Sequence, residues 1–204
     1  MRTNRRFATA AGFAALVLAL SACGGEASSD ETPGGDSSPT GTGGVSEWGP
    51  AQAIVPVGVQ ATDSAPNSTD AEGNPTSYQP ENTVDGDLET AWRIAGDGDG
   101  VQLVFDLGEV VRLTEIGLVP GYAKVDPVAD IDRFEQNRRV ETVVWDFADG
   151  SSVTQVFDDE PTMQTVPVDV TTNWVRLTIH DTTEDGGRDF AAISEVEFTG
   201  QKAA

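Results

Sequence analysis

A period-two alternation of apolar and polar residues recurs through the last three-quarters of this chain and constrains its fold more than any other feature. Val101, Leu103, Phe105 and Leu107 alternate with Gln102, Val104 and Asp106, and Val143, Trp145 and Phe147 alternate in the same way. Successive side chains of a strand point to opposite faces of a sheet, so such a run buries one face and leaves the other to solvent. Ala148, Asp149, Gly150 and Ser151 then lead into a third run from Val153 to Phe157. An Asp-Gly pair between alternating runs predicts a hairpin, because glycine accepts the positive φ that tight turns require. Further on, Val175, Leu177 and Ile179 share one face and Trp174, Arg176, Thr178 and His180 the other, before Val196 and Phe198 close the pattern. No window of a dozen residues carries an apolar stripe at helical spacing, and there is no internal repeat. About six to eight strands in ~150 residues predict one all-β sandwich or jelly roll over residues 47–200, with 201–204 as a short tail.

The region before this domain reads differently. Arg2, Arg5 and Arg6 precede a mostly apolar run over residues 7–20, shorter than the ~20 residues needed to span a bilayer. Leu20, Ser21, Ala22 and Cys23 follow directly. A basic start, a short apolar stretch and a small-residue boundary describe a secretory signal peptide over residues 1–22. The boundary resembles the lipobox of bacterial lipoproteins, which implies that Cys23 becomes a lipid-modified first residue anchored to a bacterial membrane outside the cytoplasm. The alternative is a short buried helix with an ordinary core cysteine. Of the 23 residues over 24–46, 17 are Gly, Ser, Thr or Pro, and the stretch contains no aromatic side chain. It cannot bury enough apolar surface to offset its ordering entropy, so a disordered tether is expected, spanning roughly 25–30 Å.

Charge removes whole classes of function. From Cys23 onward nine bases face 34 acids, and no Lys/Arg stripe is concentrated anywhere. Phosphate backbones repel such a chain, so nucleic acid is not an expected partner. One cysteine and one histidine, His180, leave no material for a zinc finger, an iron–sulfur centre or a disulfide framework.

Six segments then form a recognisable series. Residues 80–92 read PENTVDGDLETAW, in which Asn82, Asp85, Gly86, Thr90 and Trp92 hold a fixed spacing. Gly121-Tyr122-Ala123-Lys124, Asn137-Arg138-Arg139-Val140, Phe147-Ala148-Asp149-Gly150, the segment 173–179 and the segment 193–198 follow in order. Together they resemble discoidin-like, or coagulation factor 5/8 type C, domains, and most closely the bacterial subgroup named for the translocation domain of an NAD glycohydrolase. The resemblance covers about residues 50–200. It implies a galactose-binding-like jelly-roll β-sandwich acting as a recognition module, and it carries no implication of NAD glycohydrolase activity.

The same resemblance suggests two sites. Many such modules hold a calcium ion with the first of these loops and a glutamate of the last strand. By position the ligands here are Asp85, Asp87, Thr90 and Glu195, with backbone carbonyls near Val84 and Asp87 contributing. Calcium takes six to eight hard oxygens, which an acidic turn supplies, although Thr90 stands where an EF-hand requires glycine. The competing reading is an ordinary solvated turn. The second site is the long connection over residues 121–140, where long loops carry function. There Tyr122 offers a ring face for a sugar, and Lys124, Asn137 and Arg139 offer hydrogen-bond donors. Against this, Asp126, Asp130, Asp132, Glu135 and Glu141 can neutralise the local cations, and Arg139 can simply brace the sandwich. Trp92 and Trp145 are expected in the core, and Trp174 either at the surface or against the second sheet.

The functional expectation is a non-catalytic envelope lipoprotein that binds a glycan or envelope polymer through this domain. A protein–protein adaptor is the alternative. A glycoside hydrolase using paired carboxylates is disfavoured, since 34 acids guarantee carboxylate pairs by chance and no catalytic motif accompanies them.

Overall fold

A computed structural model of the protein describes residues 47–204 apart from Ala71 and Asp185. The signal-peptide motif, Cys23 and the Gly/Ser tether lie outside the described residues. The elements are β1 (Gln52–Ala53), β2 (Gly58–Ala61), β3 (Ser68–Thr69), β4 (Pro75–Thr76), a 3-10 turn (Pro80–Thr83), β5 (Trp92–Ala95) and β6 (Gln102–Leu118). They continue with β7 (Val125–Asp126), β8 (Ile131–Asp132), α1 (Arg133–Gln136), β9 (Val140–Phe147), β10 (Ser152–Val156), β11 (Gln164–Thr182), β12 (Phe190–Ile193) and β13 (Val196–Lys202). The main sheet has seven strands in the order β1-β13-β6-β11-β9-β10, with β2 also paired to β6. Smaller two-stranded sheets join β12 to β5, β3 to β4 and β7 to β8.

Two unusually long strands make a sandwich out of this single ladder. β6 and β11 have 17 and 19 residues and run antiparallel along almost their whole length. Half-way along, β6 changes neighbours, from β2 at residues 103–106 to β13 at residues 111–118. Opposite that change the ladder slips, so that residues 107–110 of β6 face Asn173 alone. An irregularity of this kind bends a strand and adds twist. Gly108 sits at the bend with φ +76, and a Cβ placed there would lie 2.9 Å from Val57. The far half therefore folds over the near half. Phe198 of β13 packs edge-on against Phe105 of β6 at 5.2 Å and against Trp145 of β9 at 6.3 Å.

The expected alternation is the one that fills this core. Leu103, Phe105, Val143, Trp145, Val175, Leu177 and Ile179 are all fully enclosed. Trp92 and Trp145 bury their rings and keep their indole N–H groups bonded, Trp92 to the Asp63 carbonyl at 3.1 Å and Trp145 to Gln155 at 3.0 Å. Trp174 settles on the outer face, half-buried beside Gln60, Val104 and Asp106, and His180 is exposed. Residues 201–204 do not form a tail: β13 continues through Lys202, Ala203 bridges Trp48, and the Ala204 amide donates to the Glu47 carbonyl at 3.0 Å.

Candidate functional site

β5 is where the sequence places a charge inside an apolar strand. Trp92 and Ile94 point into the main core, so the strand period sends Arg93 to the opposite face. There a second, smaller cluster of Ala65, Tyr78, Ala91, Tyr122 and Ala192 is buried, with Phe190 packed on it. The Arg93 guanidinium lies between two rings, 3.8 Å from the centre of Tyr78 and 4.2 Å from that of Phe190. Stacking of this type suits the flat, weakly hydrated face of arginine. Arg93 is 5% exposed, its Nε has no hydrogen-bond partner, and it forms no ion pair. Burial, assisted by the neighbouring Arg188, draws its pKa below the ordinary arginine value.

The residue 119–139 connection builds the wall facing Arg93. Its base is closed by the Val140 amide donating to the Pro120 carbonyl at 2.8 Å. Gly121 then lets the Phe134 ring approach, since a Cβ there would lie 2.5 Å from that ring. Beyond it β7 and β8 form a small hairpin, and Asp132 caps α1 by accepting from the Phe134 amide at 2.8 Å. Asp126 accepts from the amides of Val128 and Ala129 and from Arg133, whose Nη2 lies 2.7 Å away. The Ala129 amide first, Arg133 next and the Val128 amide after them hold the Asp126 carboxyl below its usual range.

Between these walls lies a half-open pocket of about 340 Å³. Its lining comes from the β3–β4 hairpin (Ser68, Thr69, Asp70 and Thr76), from Tyr78 and Arg93, from Tyr122, Lys124, Asp126 and Arg133 of the connection, and from Arg188. Asp70 is held within its own turn by the amides of Glu72 and Asn74 and by the Asn74 side chain, which lowers its pKa.

Of the four residues expected to bind ligand, the fold brings two together. Tyr122 and Lys124 line the pocket. Tyr122 is 5% exposed and meets Tyr78 edge to face at 6.5 Å, so too little of its ring is open for a sugar to lie flat on it. Burial pushes its hydroxyl pKa up to about 12. Asn137 is fully buried and stays outside the pocket, its side-chain N–H donating to the Arg133 carbonyl at 2.7 Å to finish α1. Arg139 also lies elsewhere, engaged bidentately by Asp159 at 2.8 and 3.0 Å and resting over the Phe134 ring. Arg93 and Arg188 line this pocket, and Asn137 and Arg139 do not. A charge flanked by Trp92 and Ile94 in an otherwise apolar strand was a legible sign of Arg93; nothing local distinguished Arg188.

The acidic turn forms a separate constellation. Thr90 Oγ1 lies 2.8 Å from Asp85 Oδ2, 3.0 Å from the Asp87 carbonyl and 3.4 Å from the Asn82 carbonyl. Asp87 contributes that carbonyl, while its carboxylate accepts from the Glu89 amide. Glu195 is buried, accepts from the Gly86 amide at 3.1 Å, and has its pKa pushed up to about 7, first by burial and then by the nearby Asp85 charge. Among the described residues no three Asp, Glu, His or Cys side chains converge as a metal group. Two uncompensated carboxylates with hydroxyl and carbonyl oxygens are nevertheless an all-oxygen set of the kind a hard divalent cation accepts.

A profile of the NAD glycohydrolase translocation F5/8 type C domain matches residues 57–199. The chain belongs to that family. Solved structures place the domain among galactose-binding-like jelly rolls. The family 32 carbohydrate-binding module of Clostridium perfringens NanJ, in complex with galactose, superposes with a TM-score of 0.54 at 15% identity, over 73% of this chain and 98% of that one. A family 32 module of CpGH89 from Clostridium perfringens, in complex with GalNAc-β-1,3-galactose, gives 0.53 at 12%, over 72% and 99%. The corresponding module of AlyQ, in complex with 4,5-unsaturated mannuronic acid, gives 0.50 at 18%, over 72% and 97%. No curated protein matches the chain. The F5/8 type C domain thus has the all-β fold expected of it.

Proposed function

We propose that this F5/8 type C domain is a non-catalytic glycan-binding module, displayed outside the cytoplasm of a bacterium on a lipid-anchored tether. The observation that carries the reading is the convergence of polar side chains from four separate segments on one half-open pocket of about 340 Å³. Small-molecule sites of this kind have volumes of about 300–1,000 Å³ and a few orienting polar groups. The three structural neighbours hold sugars, which supports a glycan or envelope polymer as the ligand class. Tyr122 and Lys124 contribute to the site, with Tyr78, Arg93 and Arg188 beside them.

The pocket carboxylates favour binding over hydrolysis. A general acid needs a carboxyl whose pKa is raised toward the working pH. Hydrogen bonds lower the pKa of both Asp70 and Asp126. We assign the Asp85, Thr90 and Glu195 side chains, with the Asp87 and Asn82 carbonyls, to a structural calcium ion, whose charge would neutralise Asp85 and Glu195 and so stiffen the rim. Cys23, after signal-peptide removal, carries the lipid.

A glycan array probed with the protein, with free sugar as competitor, tests the reading. Sugar-competed binding that falls on Lys124→Ala, which alters a half-buried pocket side chain, supports it; capture of a protein partner with no glycan bound overturns it in favour of an adaptor. Cys23→Ala is expected to release the protein from the membrane fraction or leave an unprocessed precursor. Unchanged fractionation and migration would remove the lipid from the proposal.

A further inference from the structure

The described residues contain nine lysines and arginines against twenty-nine acids. Six of the nine form ion pairs: Arg112 with Asp169, Arg133 with Asp126, Arg138 with Asp189, Arg139 with Asp159, Arg176 with Asp146 and Lys202 with Glu109. Arg93, Lys124 and Arg188 do not, and all three line the same pocket. A shortage of carboxylates does not explain this, since acids outnumber bases more than threefold. The two acids in the pocket are committed elsewhere, Asp126 to Arg133 and Asp70 to its own turn.

Arg93 makes the point most sharply. Its faces are covered by Tyr78 and Phe190, which leaves only the edge of the guanidinium to form hydrogen bonds. Of that edge, the Nε–H is buried and unmatched, in a residue that lines the pocket. A buried charge without a partner is costly to maintain, and fixed proteins normally pair it.

We propose that the ligand of this pocket bears an oxyanion, seated on Arg93 and flanked by Lys124 and Arg188; the proposal rests on the glycan reading and narrows it to an acidic polymer. The carboxylate of a uronic-type sugar and a phosphate or sulfate ester share the required chemistry, two or three oxygens on one centre matching the guanidinium fork. The rest of the surface works against a polyanion at long range and the pocket attracts it at contact. Salt screens the long-range part first, over about 10 Å at 0.1 M. Association is therefore expected to accelerate as salt rises from low concentration, while dissociation also quickens.

The test is titration of the full chain with three probes: oligogalacturonate, its methyl ester, and poly(glycerol phosphate). One of the two anionic probes is expected to bind about tenfold or more tightly than the neutral ester, the scale of one charge-assisted hydrogen bond. Which of the two it is names the source of the anion. Lys124→Gln with Arg188→Gln alters one half-buried and one exposed side chain, so melting should be unchanged while the preference for the anion disappears. The Arg93 Nε–H proton resonance should shift with the anion and remain still with the ester. Equal affinity for acid and ester, or a double variant that keeps the preference, overturns the oxyanion and leaves the glycan reading intact. Failure of all three probes while a neutral glycan is captured on the array does the same. Failure with every glycan overturns both.

Discussion

At the pocket, Arg93, Lys124 and Arg188 line one cavity without an ion-pair partner, the two carboxylates there being engaged by Arg133 and by the Asp70 turn; at the turn after the 3-10 segment, Asp85 and Glu195 lie near one another with no Lys or Arg between them. The two regions are opposite in sign and alike in being left uncompensated, whereas the other six cations among the described residues are paired. They also differ in build. The pocket collects side chains far apart in sequence, whereas the turn is local except for Glu195, 109 residues away from the amide it accepts. Ser194 ties them together, its hydroxyl accepting from the Ala123 amide at 3.0 Å and donating to the Leu88 carbonyl at 3.3 Å. The lesson is that uncompensated charge, more than residue type, separates the candidate sites from the framework.

The largest effect is expected at the acidic side in metal-free protein. Glu195 has its native pKa raised to about 7 from 4.5, so the native state holds the proton more tightly than the unfolded chain does. Its contribution is fully favourable below pH 4.5 and is lost as pH rises through 7, by about 3 kcal/mol. Denaturant melts from pH 4 to 8 in chelator should show that decline, and Glu195→Gln should flatten it. An unflattened profile would mean that the carboxylate pair at the turn is not under strain.

Calcium should restore slightly less. At a hundredfold excess over its Kd it stabilises by about 2.7 kcal/mol, raising Tm by roughly 5–10 °C for a domain of this size. Asp85→Ala should abolish the rise. Equal melting curves with calcium and with chelator would leave a turn held by its hydrogen bonds alone.

Ser194→Ala probes the link between the regions. It leaves the Ala123 amide and the Leu88 carbonyl unmatched, at about 1–3 kcal/mol. If the two regions are coupled, glycan affinity and the calcium-induced shift fall together; a change in stability alone would show that they are independent.

The smallest effect separates framework arginines from pocket cations. Arg139→Gln breaks the bond to the exposed Asp159, which is expected to cost under about 1 kcal/mol and leave glycan affinity unchanged. A loss of affinity would return Arg139 to the site.

Much of this fold is legible in the sequence itself. The alternation at residues 101–107, 143–147 and 175–179 predicted which side chains enter the core, because a strand's period depends on backbone geometry alone. The Asp149-Gly150 hairpin followed from the φ that glycine accepts, and Gly150 has φ +84. The bend that turns β6 and β11 into two layers is not legible there: it depends on Gly108 meeting Val57, just ahead of β2, and on the slip of the β6–β11 ladder around Asn173.

The site divides along the same line. Residue order alone pointed to the acidic turn and to the residue 121–140 connection, since turn chemistry and loop length are local properties. It also supplied five acids near the connection's four cations, and local pairing was a reasonable expectation. The folded chain kept only Arg133 with Asp126; Arg138 went to Asp189 and Arg139 to Asp159, 51 and 20 residues away, and Lys124 was left without a carboxylate. An ion pair is decided by a separation of a few ångströms, and sequence distance does not encode that. Composition therefore established that the chain is strongly acidic, and only tertiary packing decided which three cations would stand together unpaired.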